Sequence, residues 1–220
     1  MKDPLIPVYF MPGMAASSDI FEHISLPESR FEMIRLDWFN PSKGMSLKDY
    51  AQEMITYIKH PNPVLVGVSF GGVLVQEIAQ QIPTHKVIII SSVKQKKEMP
   101  RRLIFAKYTK AHKLLPTGIV NNIELLAKYA FGETVSKRLD LYERYLSIRD
   151  KTYLDWAIDQ MVRWNQREYE PGIIHIHGDK DAVFPFQYIN DCIPVENGTH
   201  TMIIHRYKWF NEHLPTIILE

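Results

Sequence analysis

A chain of 220 residues, 45% hydrophobic and 23% charged, has ordinary globular composition and enough length for one domain with a substantial core and a sizeable insertion. Its formal net charge of +1 excludes a general electrostatic attraction to nucleic acid or to a membrane surface. The single cysteine, Cys192, excludes an internal disulfide, leaves no thiolate cluster for zinc, and fits a reducing compartment.

The first element, "IPVYFM" (6–11), reads as a strand, and the prolines around it leave too short an apolar run for a signal peptide. No segment reaches the roughly 20 apolar residues of a membrane span, so a cytoplasmic protein is expected. "FEMIRLDW" (31–38) is a second strand. In 46–60, Ser46 is the N-cap of a helix whose apolar stripe runs through Leu47, Ala51, Met54, Ile55 and Ile58. "PVLVGV" (63–68) and "KVIIIS" (86–91) are continuous apolar runs, as expected of parallel strands covered on both faces. Between them Leu74, Ile78 and Ile82 recur at helical spacing until Pro83. "GIIHIHG" (172–178) and "DCIPVEN" (191–197) complete six strands, and a helix over 201–214 closes the chain.

Alternation of strands and helices implies a mostly parallel six-stranded sheet with helices on both faces, joined by right-handed crossovers. Residues 94–168 break the rhythm with three helical patterns, at 119–131, 134–148 and 151–166, and no strand. Leu139, Tyr142 and Leu146 share a face of the second; Leu154, Ile158, Met161 and Val162 share a face of the third. The expected organisation is a core of 1–93 and 169–220 with a helical cap insertion, 94–168, laid over the strand ends.

The chemistry centres on "VLVGVSFGG" (64–72). Gly67-Val68-Ser69-Phe70-Gly71 is a G-x-S-x-G pattern after a strand and before a helix, the context in which such a turn lifts a serine hydroxyl into reach. The sharp turn strains Ser69 by about 1–3 kcal/mol and demands glycines two positions to either side. Short of that, Ser69 is simply the cap of a helix. Past the first strand, "MPGMAASS" offers a glycine turn whose backbone N–H at Met14, with that of Phe70, suits an oxyanion. "HGDKDAVFP" ends a strand with two carboxylates, Asp179 and Asp181, either of which could orient an imidazole. Of nine histidines, His175 and His177 belong to strand 172–178 and His205 and His213 to the last helix; His200 alone sits in a loop at the right edge.

With "GVSFGG", "HGDKDAVFP" and "GTH" in the order Ser, Asp, His, the sequence resembles the α/β-hydrolase superfamily over nearly its whole length. That resemblance implies an α/β-hydrolase fold and a capped serine esterase. Its acid loop, usually H-G-x-x-D, aligns the acid with Asp181 and leaves Asp179 as a turn residue. It implies Ser69 as nucleophile, His200 as base, Met14 and Phe70 as oxyanion donors, and no metal or organic cofactor. The first strand would match the family's third, so the two usual N-terminal strands are missing, and Pro12 stands where a histidine commonly precedes the oxyanion glycine. The expected substrate is a small-molecule acyl ester, its pocket lined by Phe70, Val183 and Phe184. A thioesterase or carbon–carbon bond hydrolase would use the same three residues, and a non-catalytic binding protein on this fold is a further reading. Lys94, Lys96, Lys97, Arg101, Arg102, Lys107, Lys110 and Lys113 form a basic stretch, 94–113, that reads as a solvated face or as a dock for an acidic acyl carrier.

Overall fold

In the computed structural model, which describes residues 4–100 and 144–220, six strands form one sheet. They are β1 (Ile6–Met11), β2 (Phe31–Arg35), β3 (Val64–Val68), β4 (Lys86–Ile90), β5 (Ile174–Gly178) and β6 (Ile193–Val195). Their spatial order is β2-β1-β3-β4-β5-β6 and every pairing is parallel. All carboxyl ends therefore lie along one edge of the sheet. In register, Gly67 of β3 stands between Met11 of β1 and Ile89 of β4, which brings the loops after these three strands together.

Burial explains the apolar runs. All five residues of β3 and the last four of β4 are buried. Each fully buried Val, Leu or Ile among them contributes about 1.5–3 kcal/mol over leaving it exposed. Helix α1 (Leu47–Ile55) starts with a capping box in which Ser46 and Asp49 satisfy each other's backbone N–H groups. Helix α2 (Phe70–Ala79) is buried on nearly every side, packed on α1 and on β1, β3 and β4. Its one buried polar side chain, Gln76, donates to the Gly72 and Val93 carbonyls and accepts from Gln166.

Helix α3 (Lys151–Arg163) is the third helical pattern of the insertion, capped by the Asp150 carboxylate. It lies against α1 and the segment before it: Trp156 stacks on Tyr50 at 4.3 Å and its indole N–H donates to the Met45 carbonyl. The pattern at 119–131, most of that at 134–148 and the bulk of the expected cap fall in 101–143, outside the described residues. At its end the 134–148 pattern is not helical throughout, because 146–150 carry no regular structure.

Three boundaries differ from the sequence reading. β2 stops at Arg35, before the expected end at 38, where the chain turns in toward the sheet edge and Trp38 becomes buried. β6 has only three residues. The closing helix is two, α4 (Met202–His205) and α5 (Tyr207–Leu219), parted at Arg206, which leaves helical geometry at φ −105° and ψ 20°. Among the described residues, no helix is long and apolar enough to cross a membrane.

Candidate active site

Ser69 sits between β3 and α2 with φ 53° and ψ −119°, a conformation that L-residues adopt only under strain. The surroundings enforce it. Ser69 N–H donates to the Ile90 carbonyl at 2.9 Å, and Ser69 C=O accepts from Gly72 N–H at 2.9 Å and from the Ser92 hydroxyl at 2.7 Å. Glycine is required on both sides for space. A Cβ on Gly67 would overlap the Gly71–Gly72 backbone, and one on Gly71 would overlap the Met11 and Pro12 carbonyls. The turn thus lies against the end of β1 as tightly as backbone allows.

The histidine loop and the acid loop meet beside it. His200 Nε2 lies 2.9 Å from Ser69 Oγ, and His200 Nδ1 lies 2.9 Å from Asp181 Oδ2. In the neutral ring, Nδ1–H donates to the carboxylate and Nε2 accepts from the hydroxyl. The Asp181 carboxylate is fully buried, the His200 side chain 12% exposed. Asp181 Oδ1 accepts from the Val183 and Phe184 N–H groups, an Asx turn that fixes the carboxylate before His200 reaches it. Burial alone would push the Asp181 pKa up, but the facing His200 charge and hydrogen bond, with His177 and the Phe184 N–H, hold it below its ordinary value. Asp179 points elsewhere, 3.9 Å from the Lys180 ammonium. The two loops are joined where Lys180 N–H donates to the Gly198 carbonyl, a close approach of Gly178 to Gly198 that a Cβ on either would obstruct.

Opposite Ser69, residues 13–16 form a β-turn closed by Ala16 N–H on the Gly13 carbonyl at 3.1 Å. Ala15 occupies the third position at φ 65°, which a type II turn normally gives to glycine. Outside contacts hold this turn: Ile148 N–H donates to the Ala15 carbonyl, Ser17 N–H to the Tyr145 carbonyl, and the Trp38 indole N–H to the Gly13 carbonyl at 2.9 Å. Tyr145 and Arg144 also both contact the Glu22 carboxylate, so the end of the insertion grips the turn and the segment after it. Among the described residues, neither Met14 N–H nor Phe70 N–H has an acceptor. Phe70 N–H is one of the first helical donors, which have no intrahelical partner.

The residues expected to line the pocket differ in exposure. Phe70 and Phe184 are 1% and 3% exposed: Phe70 stacks on Trp38, and Phe184 packs edge-on against His200. Val183 keeps partial exposure. Lys94 leaves the basic stretch altogether, being buried with its ammonium on the Asp191 carbonyl and over the Tyr169 ring. Lys96 bonds Asn165, and 101–113 lie outside the described residues.

Three features escaped the sequence. Trp38 reaches a carbonyl 25 positions away, which no local pattern encodes. Ser92 holds the Ser69 carbonyl from the next strand's loop. Behind Asp181, His177 Nε2 donates to the Phe184 carbonyl at 2.9 Å and stands 3.5 Å from Asp181 Oδ2, while its Nδ1 meets His175 Nε2 at 3.0 Å. Their spacing at i and i+2 on one strand was the available signal, since it puts both rings on one face. Among the described residues, no cluster of three or more His, Cys, Asp or Glu side chains is arranged to hold a metal. A groove of about 420 Å³ beside Glu77, Gln80 and Trp164 contains none of these site residues.

No family model and no curated protein matches the chain. Solved structures do. The chain is similar to a bromoperoxidase from Bacillus anthracis at 17% identity and TM-score 0.74, over 99% of this chain and 93% of that one. It is similar to an esterase from Exiguobacterium antarcticum at 18% identity and TM-score 0.68, over 98% and 92%. An enol-lactonase from Burkholderia xenovorans matches at 14% identity and TM-score 0.73, over 99% and 92%. The shared architecture is the α/β-hydrolase fold, and this protein has it.

Proposed function

We propose that the protein is a serine hydrolase that cleaves carboxylic esters through an acyl-enzyme. The observation that carries the reading is the hydrogen-bonded series from Ser69 Oγ through His200 to buried Asp181, at a strained turn on the carboxyl edge of the sheet. The fold alone would not choose, because structures with the same architecture bear the names of esterase, lactonase and bromoperoxidase.

In this mechanism His200 Nε2 takes the Ser69 proton as Oγ attacks the ester carbonyl. The carbonyl oxygen becomes an anion facing the Met14 and Phe70 N–H groups, and the Asp181 carboxylate stabilises the imidazolium. On collapse the C–O bond breaks, and His200 returns its proton to the leaving alcohol. Water, deprotonated by His200, then attacks the acyl-serine, and the acid leaves as Oγ recovers its proton. We assign acyl selection to the insertion, 94–168, which enters the chain between β4 and β5.

The test is hydrolysis of p-nitrophenyl esters of increasing acyl length, with labelling by a serine-reactive phosphonate. Ser69→Ala should cost on the order of 10⁶ in kcat with the fold intact. Labelling of another serine, with Ser69 untouched, would overturn the reading.

A further inference from the structure

We propose that Trp38 is a positioning residue that aims both oxyanion donors. The inference rests on the hydrolase reading above and adds to it the device that holds the hole in shape.

The argument starts from the peptide unit. The Gly13 carbonyl and the Met14 N–H belong to one planar trans amide, so whatever fixes the first fixes the direction of the second. Among the described residues, two donors reach the Gly13 oxygen: Ala16 N–H at 3.1 Å and the Trp38 indole at 2.9 Å. They act differently. The Ala16 bond is internal to the turn and would move with it. The Trp38 bond ties the amide to a frame outside the turn, and by drawing electron density to the oxygen it also makes the Met14 N–H a better donor.

The same indole packs against the residue that carries the second donor. Its ring stacks on Phe70 at 5.3 Å and 15°. Phe70 carries the other unpartnered N–H, so a single rigid side chain bonds the Gly13–Met14 amide and packs on the ring of the residue that carries the second donor. Trp38 is itself immobilised, 8% exposed and packed against Tyr50 at 5.9 Å and Tyr153 at 5.3 Å. Preorganised donors are effective because they need no rearrangement as charge develops, and loss of their orientation removes that advantage.

Trp38→Phe deletes the indole N–H and keeps a ring against Phe70. Expected is a fall in kcat of about tenfold, a fraction of the 10²–10³ cost of losing a whole oxyanion donor, with KM nearly unchanged. The phosphonate labelling rate should fall in parallel, and the Met14 amide resonance in ¹H–¹⁵N spectra should shift and broaden. A second variant, 3-benzothienylalanine at position 38, replaces the N–H by sulfur in the same ring shape and should show the same losses without a packing change. Unchanged kcat and an unmoved Met14 resonance in that variant would overturn the proposal, as would a lowered thermal midpoint with kcat intact. Survival of ester hydrolysis in Ser69→Ala would instead remove the hydrolase reading, while the Met14 resonance would still decide whether Trp38 sets the amide.

Discussion

Inside β5 the His175 and His177 rings meet edge to face, with His175 Nε2 3.0 Å from His177 Nδ1. Burial pushes the His175 pKa down from 6.5 to about 2, with the neighbouring His177 and Lys94 charges adding to it. Burial lowers His177 as well, against the opposing pull of Asp181. Both rings are held neutral, so the one N–H of His177, at Nε2, goes to the Phe184 carbonyl near the end of the acid loop, and Nδ1 accepts from His175 Nε2–H.

Stability should therefore fall on acidification earlier than carboxylate protonation alone would cause. Below pH 6.5 the unfolded chain binds protons at these two positions and the folded chain does not. Each such proton costs about 1.4 kcal/mol per pH unit, a loss that continues toward the depressed folded values. Urea unfolding between pH 7.5 and 5 should show a steep decline in the wild type and a shallower one in His175→Asn, whatever the variant's absolute stability. Parallel curves would mean that the rings take up protons in place.

The two acid-loop carboxylates should separate cleanly. Asp181→Asn removes the acceptor of His200 Nδ1–H and favours the wrong tautomer, at a cost of roughly 10⁴ in kcat. Asp179→Asn should be mild, because Asp179 faces Lys180 and not the imidazole. Steady-state kinetics on a p-nitrophenyl ester measures both, and a reversed ranking would refute the assignment.

Gly71→Ala should be destabilising out of proportion to one methyl group. Its Cβ would run into the carbonyls at the end of β1, backbone that cannot move aside, so a loss at or beyond the usual 1–3 kcal/mol of overpacking is expected. Gly44→Ala is the control: it has open space around it and only a left-handed φ of 79°, worth about 1–2 kcal/mol. Denaturant midpoints of the two should differ, with Gly71→Ala the worse and also the slower to label with phosphonate.

Ala15→Gly should move the other way. The left-handed φ of 65° costs an L-residue about 1–2 kcal/mol, more than the extra chain entropy that glycine loses on folding. A gain of roughly 0.5–1 kcal/mol is expected from thermal or urea unfolding, and a loss would mean that the turn needs the methyl group for packing.

The strands with continuous apolar runs were legible because full burial removes the need for alternation, and 64–68 and 86–90 lie within the runs marked for them. The glycines around Ser69 were legible because only backbone fits there, although the partner of Gly71 is the end of β1 and not a side chain of its own turn. Ser69 and His200 stood out in the sequence, Asp181 was separated from Asp179 only by the resemblance, and the fold brings Ser69, His200 and Asp181 within hydrogen-bond distance. What stayed hidden depends on tertiary neighbours. Trp38 read as the end of a strand, since its acceptor belongs to another loop. Lys94 read as part of a charged face, since nothing local reveals the Asp191 carbonyl and Tyr169 ring that receive it. The break at Arg206 is likewise silent, because apolar residues continue on both sides of it.

Because all six strands run the same way, the molecule has a chemically quiet pole. The turns entering β3 and β4, with Pro61, Asn62, Pro83 and His85, lie at the amino edge and carry none of the groups discussed. His85 is exposed there, its backbone N–H donating to the Pro63 carbonyl. A linker joined at that position would hold the protein on a bead or sensor chip with the Ser69 rim turned toward the liquid, so immobilisation chemistry has a natural handle at the edge opposite the Ser69 turn.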